Sequence, residues 1–184
     1  MATASSLLTA EEYIALPDPF EGPTELVKGV LVQTPPTRPR HGEICLQIGY
    51  LLRLYLDKRP TGRALSNDAG FKTERDRDTV RGADIAYYSF ERVPKGPLPA
   101  GLLDASPDLV FEVLLPSDRW SEVQIKVAEY LDAGVTAVCV VDDDTRSVHV
   151  FRLDQPMRIF KSGDEFTVPD ILSDFRVTVA RFFE

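Results

Sequence analysis

Apolar residues recur at helical spacing between positions 41 and 58, where Ile44, Cys45, Ile48, Leu51, Leu52, Tyr55 and Leu56 share one face. The spacing predicts a long amphipathic helix that covers a sheet. A second helix is predicted around position 126, with Val123, Val127, Tyr130 and Leu131 on its buried side. Strand patterns fill most of the rest. Residues 25–33, broken by Lys28-Gly29, read as a hairpin, and 63–67, 69–73, 82–88 and 107–116 as apolar strand stretches. Further strands are predicted at 136–141, 147–153, 157–160 and 166–168, the later ones continuing an antiparallel arrangement. Thr9 with Glu12 three residues on is a capping-box pattern, so a short helix over 10–16 should end before Pro17. Residues 18–23 read as a turn, Pro35, Pro36 and Pro39 as an extended connector, and 91–107, rich in Pro and Gly, as a loop. The apolar stretch 177–183 is suited to docking on the core or on a partner chain. The expected fold class is α/β (α+β), a mixed, mainly antiparallel sheet flanked by the two long helices.

Three charged residues stand inside these apolar elements. Glu112 interrupts the run from Pro107 to Pro116, and an unpaired buried carboxylate must shift its pKa, find a cation or hold a metal. On an edge strand it would instead face solvent. Asp84 opens the strand Gly82-Ala-Asp84-Ile-Ala-Tyr-Tyr88, where a simple turn role is the alternative. Lys126 flanks the buried face of its helix, so its stem can lie over apolar surface while its ammonium reaches a nearby site. The competing reading is a surface pair with Glu122 four residues earlier, worth about 0.3 kcal/mol.

The chain has 184 residues, 43% of them hydrophobic and 27% charged, which suits one domain with a real core. No apolar stretch approaches the ~20 residues of a membrane span, and the N-terminus lacks a basic-then-apolar leader, so a soluble, cytoplasmic protein without membrane partners is expected. Cys45 and Cys139 read as small buried hydrophobes without metal-ligand spacing, and His41 and His149 are too few for a histidine zinc site. The net charge of −8 argues against a nonspecific nucleic-acid coat, but it is uneven: positions 38–81 carry ten Lys/Arg against six Asp/Glu, leaving −12 for the remainder. The charged run 74–78 reads as a solvated turn, in which Arg75 or Arg77 could meet a phosphate. Asp142-Asp-Asp-Thr145 reads as a turn, with cation binding the alternative.

A series of short motifs runs nearly end to end: Thr9-Ala-Glu-Glu-Tyr13, Glu25-Leu-Val-Lys-Gly29-Val-Leu-Val32, Arg40-His41-Gly42, Asp68-Ala-Gly-Phe71 and Ala83-Asp84-Ile-Ala. It continues through Pro107-Asp108-Leu-Val-Phe-Glu112-Val, Pro116-Ser117-Asp118-Arg119, Lys126-Val-Ala-Glu-Tyr130-Leu and Ala133-Gly134-Val135. Through these motifs the chain resembles the Uma-type restriction-endonuclease family, formerly a domain of unknown function, within the PD-(D/E)XK nuclease superfamily. The resemblance implies a single restriction-endonuclease-like domain over 1–184 with an N-terminal helix and hairpin extension. Asp84 takes the place of the PD aspartate and Glu112 that of the (D/E)XK acid. Lys126 stands for a lysine moved from the strand to the next helix, since position 114 is Leu. Ala83 replaces the usual proline, Lys28 an acidic or polar residue, and Leu115 and Cys139 a common Ser and Trp.

The implied activity is a Mg²⁺- or Mn²⁺-dependent endonuclease. Asp84 and Glu112 would share the metal, Lys126 would stabilise charge, and nucleic acid, DNA above all, would be the partner. Glu25 is a possible additional acid, with hairpin pairing as the alternative; His41 is a possible phosphate contact, with helix N-terminal capping the other expectation. A homodimer is expected from the two-fold symmetry of duplex substrates. The other class of function is a nuclease-fold module that binds or assembles without efficient cleavage.

Overall fold

The computed structural model describes residues 7–17 and 22–184, so the turn expected at 18–23 lies mostly outside the described residues. Helix α1, Ala10–Ala15, starts with the reciprocal cap read from the sequence: Glu12 N–H donates to Thr9 Oγ1 and Thr9 N–H to Glu12 Oε2. Asp78 accepts the next free amide, that of Ala10, at 2.8 Å. Strands β1 (Thr24–Val27) and β2 (Val30–Gln33) form the expected hairpin. Its two-residue turn puts Lys28 and Gly29 at φ 52° and 77°, the twist that a tight hairpin favours.

Helix α2 runs over Pro39–Lys58 with proline in its first turn, a place where the missing N–H costs nothing. It is followed by β3 (Gly62–Glu74), β4 (Thr79–Ser89) and β5 (Leu109–Val113). Helix α3 (Trp120–Asp132) then crosses over to β6 (Ala137–Asp142), which lies parallel to β5; every other pairing of named strands is antiparallel. Strands β7 (Ser147–Phe151) and β8 (Arg158–Lys161) complete the main sheet, ordered β2-β1-β4-β5-β6-β7-β8 with β3 on β4. The fold is thus the mixed, mainly antiparallel α/β arrangement expected.

Helix α2 covers one face of the sheet, where Ile44, Ile48 and Leu52 meet Ile85 and Phe111; α3 covers the other, where Val127 and Tyr130 meet Ala86 and Val110. The C-terminal stretch packs on the α2 face through Phe182 and Phe183, as a short 3₁₀ helix over Val179–Phe183. Strand β9 (Glu165–Phe166) departs from expectation. It pairs with β10 (Val177–Thr178) in a separate two-stranded sheet, because Phe166 is drawn into a ring cluster with Phe111, Phe160 and Phe182 beneath the main sheet.

Two strands expected at 63–67 and 69–73 are one strand, β3, interrupted by a bulge at Asn67 and Asp68 with φ 64° and 53°. Asn and Asp tolerate this left-handed region better than other side-chain-bearing residues, so the break in the pattern marked a bulge. In register, the bulge lies opposite Asp84. Because β3 pairs with β4 along its length, β1 and β5 must share the other edge of β4: β1 at Val80, β5 at Ile85–Tyr87. Residues 81–84 are left in the gap between them.

Candidate active site

That gap is the floor of a cavity of about 390 Å³ whose lining includes Glu25, His41, Asp68, Arg81, Asp84, Glu112 and Lys126. The topology brings them together. Glu25 comes from β1, Asp84 from the vacated edge of β4, Glu112 from the end of β5, and Lys126 from α3. All three principal residues proposed from the sequence, and both additional ones, line it.

Glu112 sits on an interior strand, with β4 on one side and β6 on the other, so the edge-strand alternative fails. Its side chain is 14% exposed. Both carboxylate oxygens are engaged: Tyr130 Oη–H donates to Oε1 at 2.7 Å and Lys126 Nζ to Oε2 at 3.0 Å. Burial pushes its carboxyl up to about 7, and the negative Asp84 nearby adds to the rise, against the pull of Lys126 and Tyr130.

Lys126 does not pair with Glu122. Its ammonium donates to Glu112 and to Gly82 O at 3.0 and 3.2 Å and lies 3.5 Å from Glu25 Oε1. Burial works against its charge, but Glu112 and Glu25 outweigh that, so the ammonium is held well above its ordinary pKa.

Asp84 is no turn residue. Its Oδ2 accepts the Val113 amide at 2.7 Å, across the fork between β4 and β5, and His41 Nε2–H at 3.2 Å. The capping role expected for His41 is therefore wrong: the ring lies on the inner side of the first turn of α2, turned to the site, and the helix has no side-chain cap. Burial disfavours its imidazolium, but Asp84 prevails and raises the pKa. Glu25 accepts Arg81 Nη1 at 2.8 Å and the Gly82 amide at 3.2 Å, so it braces the gap as well as lining it. Arg81 in turn forks onto Glu129 at 2.7 and 2.9 Å.

Two groups went unread in the sequence. Tyr130 reads there as core and as part of a family motif, and Asp68 only as part of the family resemblance, neither with a role at the site. Asp68 is aimed by the bulge, and a Cβ on Gly82 would come within 2.7 Å of the Asp68 Cβ, so glycine is required for this approach. Desolvation, then the repulsion of Asp84, raises its carboxyl. The 91–107 loop, expected beside the site, contributes nothing to the lining. Arg92 ties it down at the other end of β5, donating to Ser106 O, Pro107 O and Gly134 O. The Asp142-Asp-Asp segment is a turn: Asp142 Oδ1 accepts the amides of Asp144 and Thr145, and Asp143 pairs with Arg40.

The cysteines carry a further correction. Cys45 stands one helical turn after His41, and His41, Cys45 and Asp84 have ligand-type atoms all within 4.8 Å. The cluster corrects the reading that Cys45 has no metal-ligand neighbours; His41 links Cys45 Sγ at 3.5 Å to Asp84 Oδ2 at 3.2 Å and so orients Asp84. Asp84, Glu112, Asp68 and Glu25 line the same cavity without three of them converging as closely as that cluster does, and carboxylate oxygens are the donors that suit a hard divalent cation such as Mg²⁺ or Mn²⁺.

Sheet, helices and acid-lined cavity define an α/β protein with one convergent polar site. The model of the Uma2 family, described as "Putative restriction endonuclease", matches residues 10–180, and the chain belongs to that family. Among solved structures it is similar to a "putative nuclease belonging to DUF820" from Anabaena variabilis ATCC 29413, with a TM-score of 0.79 and 21% identity, over 96% of this chain and 97% of that one. At that identity the likeness speaks for the fold. No curated protein matches. No helix among the described residues is long and apolar enough to cross a membrane.

Proposed function

We infer that this protein is a divalent-metal-dependent endonuclease of the PD-(D/E)XK type, acting on nucleic acid and on DNA in the first place. The observation that carries the reading is the reach of Lys126 from α3 to 3.0 Å from Glu112, in the cavity that Asp84 also lines. A helix thereby supplies the cation that Leu114 cannot. Asp84 and Glu112 are the metal-holding pair, with Asp68 and Glu25 as flanking acids. When bound, a Mg²⁺ or Mn²⁺ ion supplies an acidified water and a positive field on the phosphate.

The chain's own residues do the rest. Tyr130 fixes one oxygen of Glu112, and His41 with the Val113 amide fixes Asp84, so the two carboxylates are oriented before substrate arrives. Lys126 keeps its proton through the neutral range and places positive charge where phosphoryl oxygens gain negative charge. A homodimer belongs to the reading, with two sites for two strands; a monomer in light scattering would remove that part.

The test is purified protein with Mg²⁺ or Mn²⁺, offered supercoiled DNA, single-stranded DNA and RNA beside Asp84→Ala and Glu112→Ala. Cleavage by the native form alone supports the enzyme. Binding without cleavage in every form would replace it by a non-cleaving module.

A further inference from the structure

A second cavity, about 620 Å³, runs between α2 and the first half of β3 and shares Thr37, His41, Asp68 and Asp84 with the first. Asp84 thus stands where two clefts meet. A single phosphodiester group needs only one of them, whereas a chain that continues past the reacting phosphate needs a path on each side. The α2 wall of the second cleft extends from His41 to Arg53, about 18 Å at the helical rise, which is several nucleotides of strand.

Its lining suits such a strand. Tyr50 and Leu46 project into it, 51% and 75% exposed, and an exposed ring is a platform on which any base can stack. Arg53 stands at the far end, tied only to Asp57 on the same exposed helix surface, a contact that a phosphate can replace at little cost. The same wall includes Gly42 and Gly49, residues unfavourable inside a helix. A Cβ at Gly42 would meet nothing within 4 Å and one at Gly49 only Ile85 Cδ1 at 3.7 Å, so internal packing does not demand either glycine. Their effect is to keep the cleft wide. The charges of the lining are divided along it: Arg53 and Arg63 stand away from the reacting end, and Asp68 and Asp84 at the junction with the first cavity.

We propose that the α2–β3 cleft is the track of one polynucleotide strand leaving the reacting phosphate, with Tyr50 stacking a base and Arg53 contacting a phosphate. The substrate class is therefore a strand of several nucleotides, not a mononucleotide or a small phosphodiester. This rests on the nuclease reading and extends it.

The test separates the two. Native protein, Gly49→Leu, Tyr50→Ala and Arg53→Ala are compared in binding a labelled single-stranded oligonucleotide in EDTA, and, with Mn²⁺, in hydrolysing that oligonucleotide and bis(p-nitrophenyl) phosphate. Gly49→Leu fills the cleft while favouring the helix, and melting curves check each fold. Expected are about tenfold weaker oligonucleotide binding for Tyr50→Ala and Gly49→Leu, and a salt slope reduced by about 0.7 for Arg53→Ala. Hydrolysis of the small diester should be unchanged in all three. Equal oligonucleotide binding by native protein and variants overturns the track while leaving the nuclease reading intact. Native protein that binds yet hydrolyses neither substrate, with binding weakened by the variants, keeps the track and ends the nuclease reading. No binding in EDTA overturns the track, no binding together with no hydrolysis of either substrate overturns both, and a dimer that Tyr50→Ala converts to monomer shows that a second copy covers the cleft and overturns the track.

Discussion

Removing the Lys126 ammonium should cost turnover far more than stability. The side chain contributes a stem laid over α3's apolar flank and a charge bonded to Glu112 at 3.0 Å and Gly82 O at 3.2 Å. Lys126→Met keeps the stem and removes the charge, and Lys126→Ala removes both. A fully buried pair broken on one side costs ~3–5 kcal/mol. Here Lys126 is 27% exposed, Glu112 keeps Tyr130, and at neutral pH its carboxyl, already raised to about 7, can take a proton. We therefore expect about 1–2 kcal/mol, a melting shift of several degrees for a chain of this length.

The rate effect has a separate origin. One electrostatic stabiliser of a transition state is worth ~10²–10³ in turnover, and among the described lining residues the other cationic groups are engaged, Arg81 forked onto Glu129 and bonded to Glu25, and His41 bonded to Asp84. The assay is single-turnover cleavage at saturating Mn²⁺, with metal affinity by calorimetry and melting curves on the same samples. Glu122→Ala is the control. Glu122 lines the cavity but does not hold Lys126, so its loss should leave rate and melting temperature nearly unchanged. Full activity in Lys126→Met would refute the catalytic assignment, and an equal loss in Glu122→Ala would point to the general field of the cavity instead.

Glu112 predicts a pH-dependent response to metal. Its folded pKa, about 7, lies above its ordinary value of 4.5, so the apo protein's stability from this group is fully present below the lower value and lost as pH rises through the upper one. Because metal must displace that proton, Mg²⁺ should raise the melting temperature more above pH ~8 than below pH ~6, and an equal gain at both would count against Glu112 as a ligand. Asp78 has the opposite sign: the Ala10 amide hydrogen bond, aided by Lys72, holds its carboxyl below the usual range, so its contribution is present above pH ~4 and lost as acid protonates it. Asp78→Asn should cost about 1 kcal/mol at neutral pH in chemical denaturation, a loss that shrinks toward acid. Gly82→Ala forces a Cβ against the Asp68 backbone oxygen at 2.9 Å and should destabilise by about 1–3 kcal/mol while shifting the bulge; unchanged melting and rate would show that Asp68 has room to move.

How far the site could be read in advance follows from where its information lies. Helical phase placed Lys126 beside the core, and an acid in an otherwise apolar strand marked Glu112, because both signals are local and periodic. Glu25 and His41 were named only as family positions, with local roles as alternatives, and in each case a distant partner took the group. Arg81 binds Glu25, and Asp84 takes His41 from 43 positions away. Asp68 gives the sharpest case. Asn67-Asp68 looked like the end of one strand and the start of another, since left-handed residues interrupt strand alternation in the same way as a turn does. Only pairing with β4 distinguishes the two, and that pairing also sets two strands on one edge of β4 and opens the gap for the cavity. The residues were legible one by one; their convergence is a property of strand order, which no local pattern encodes.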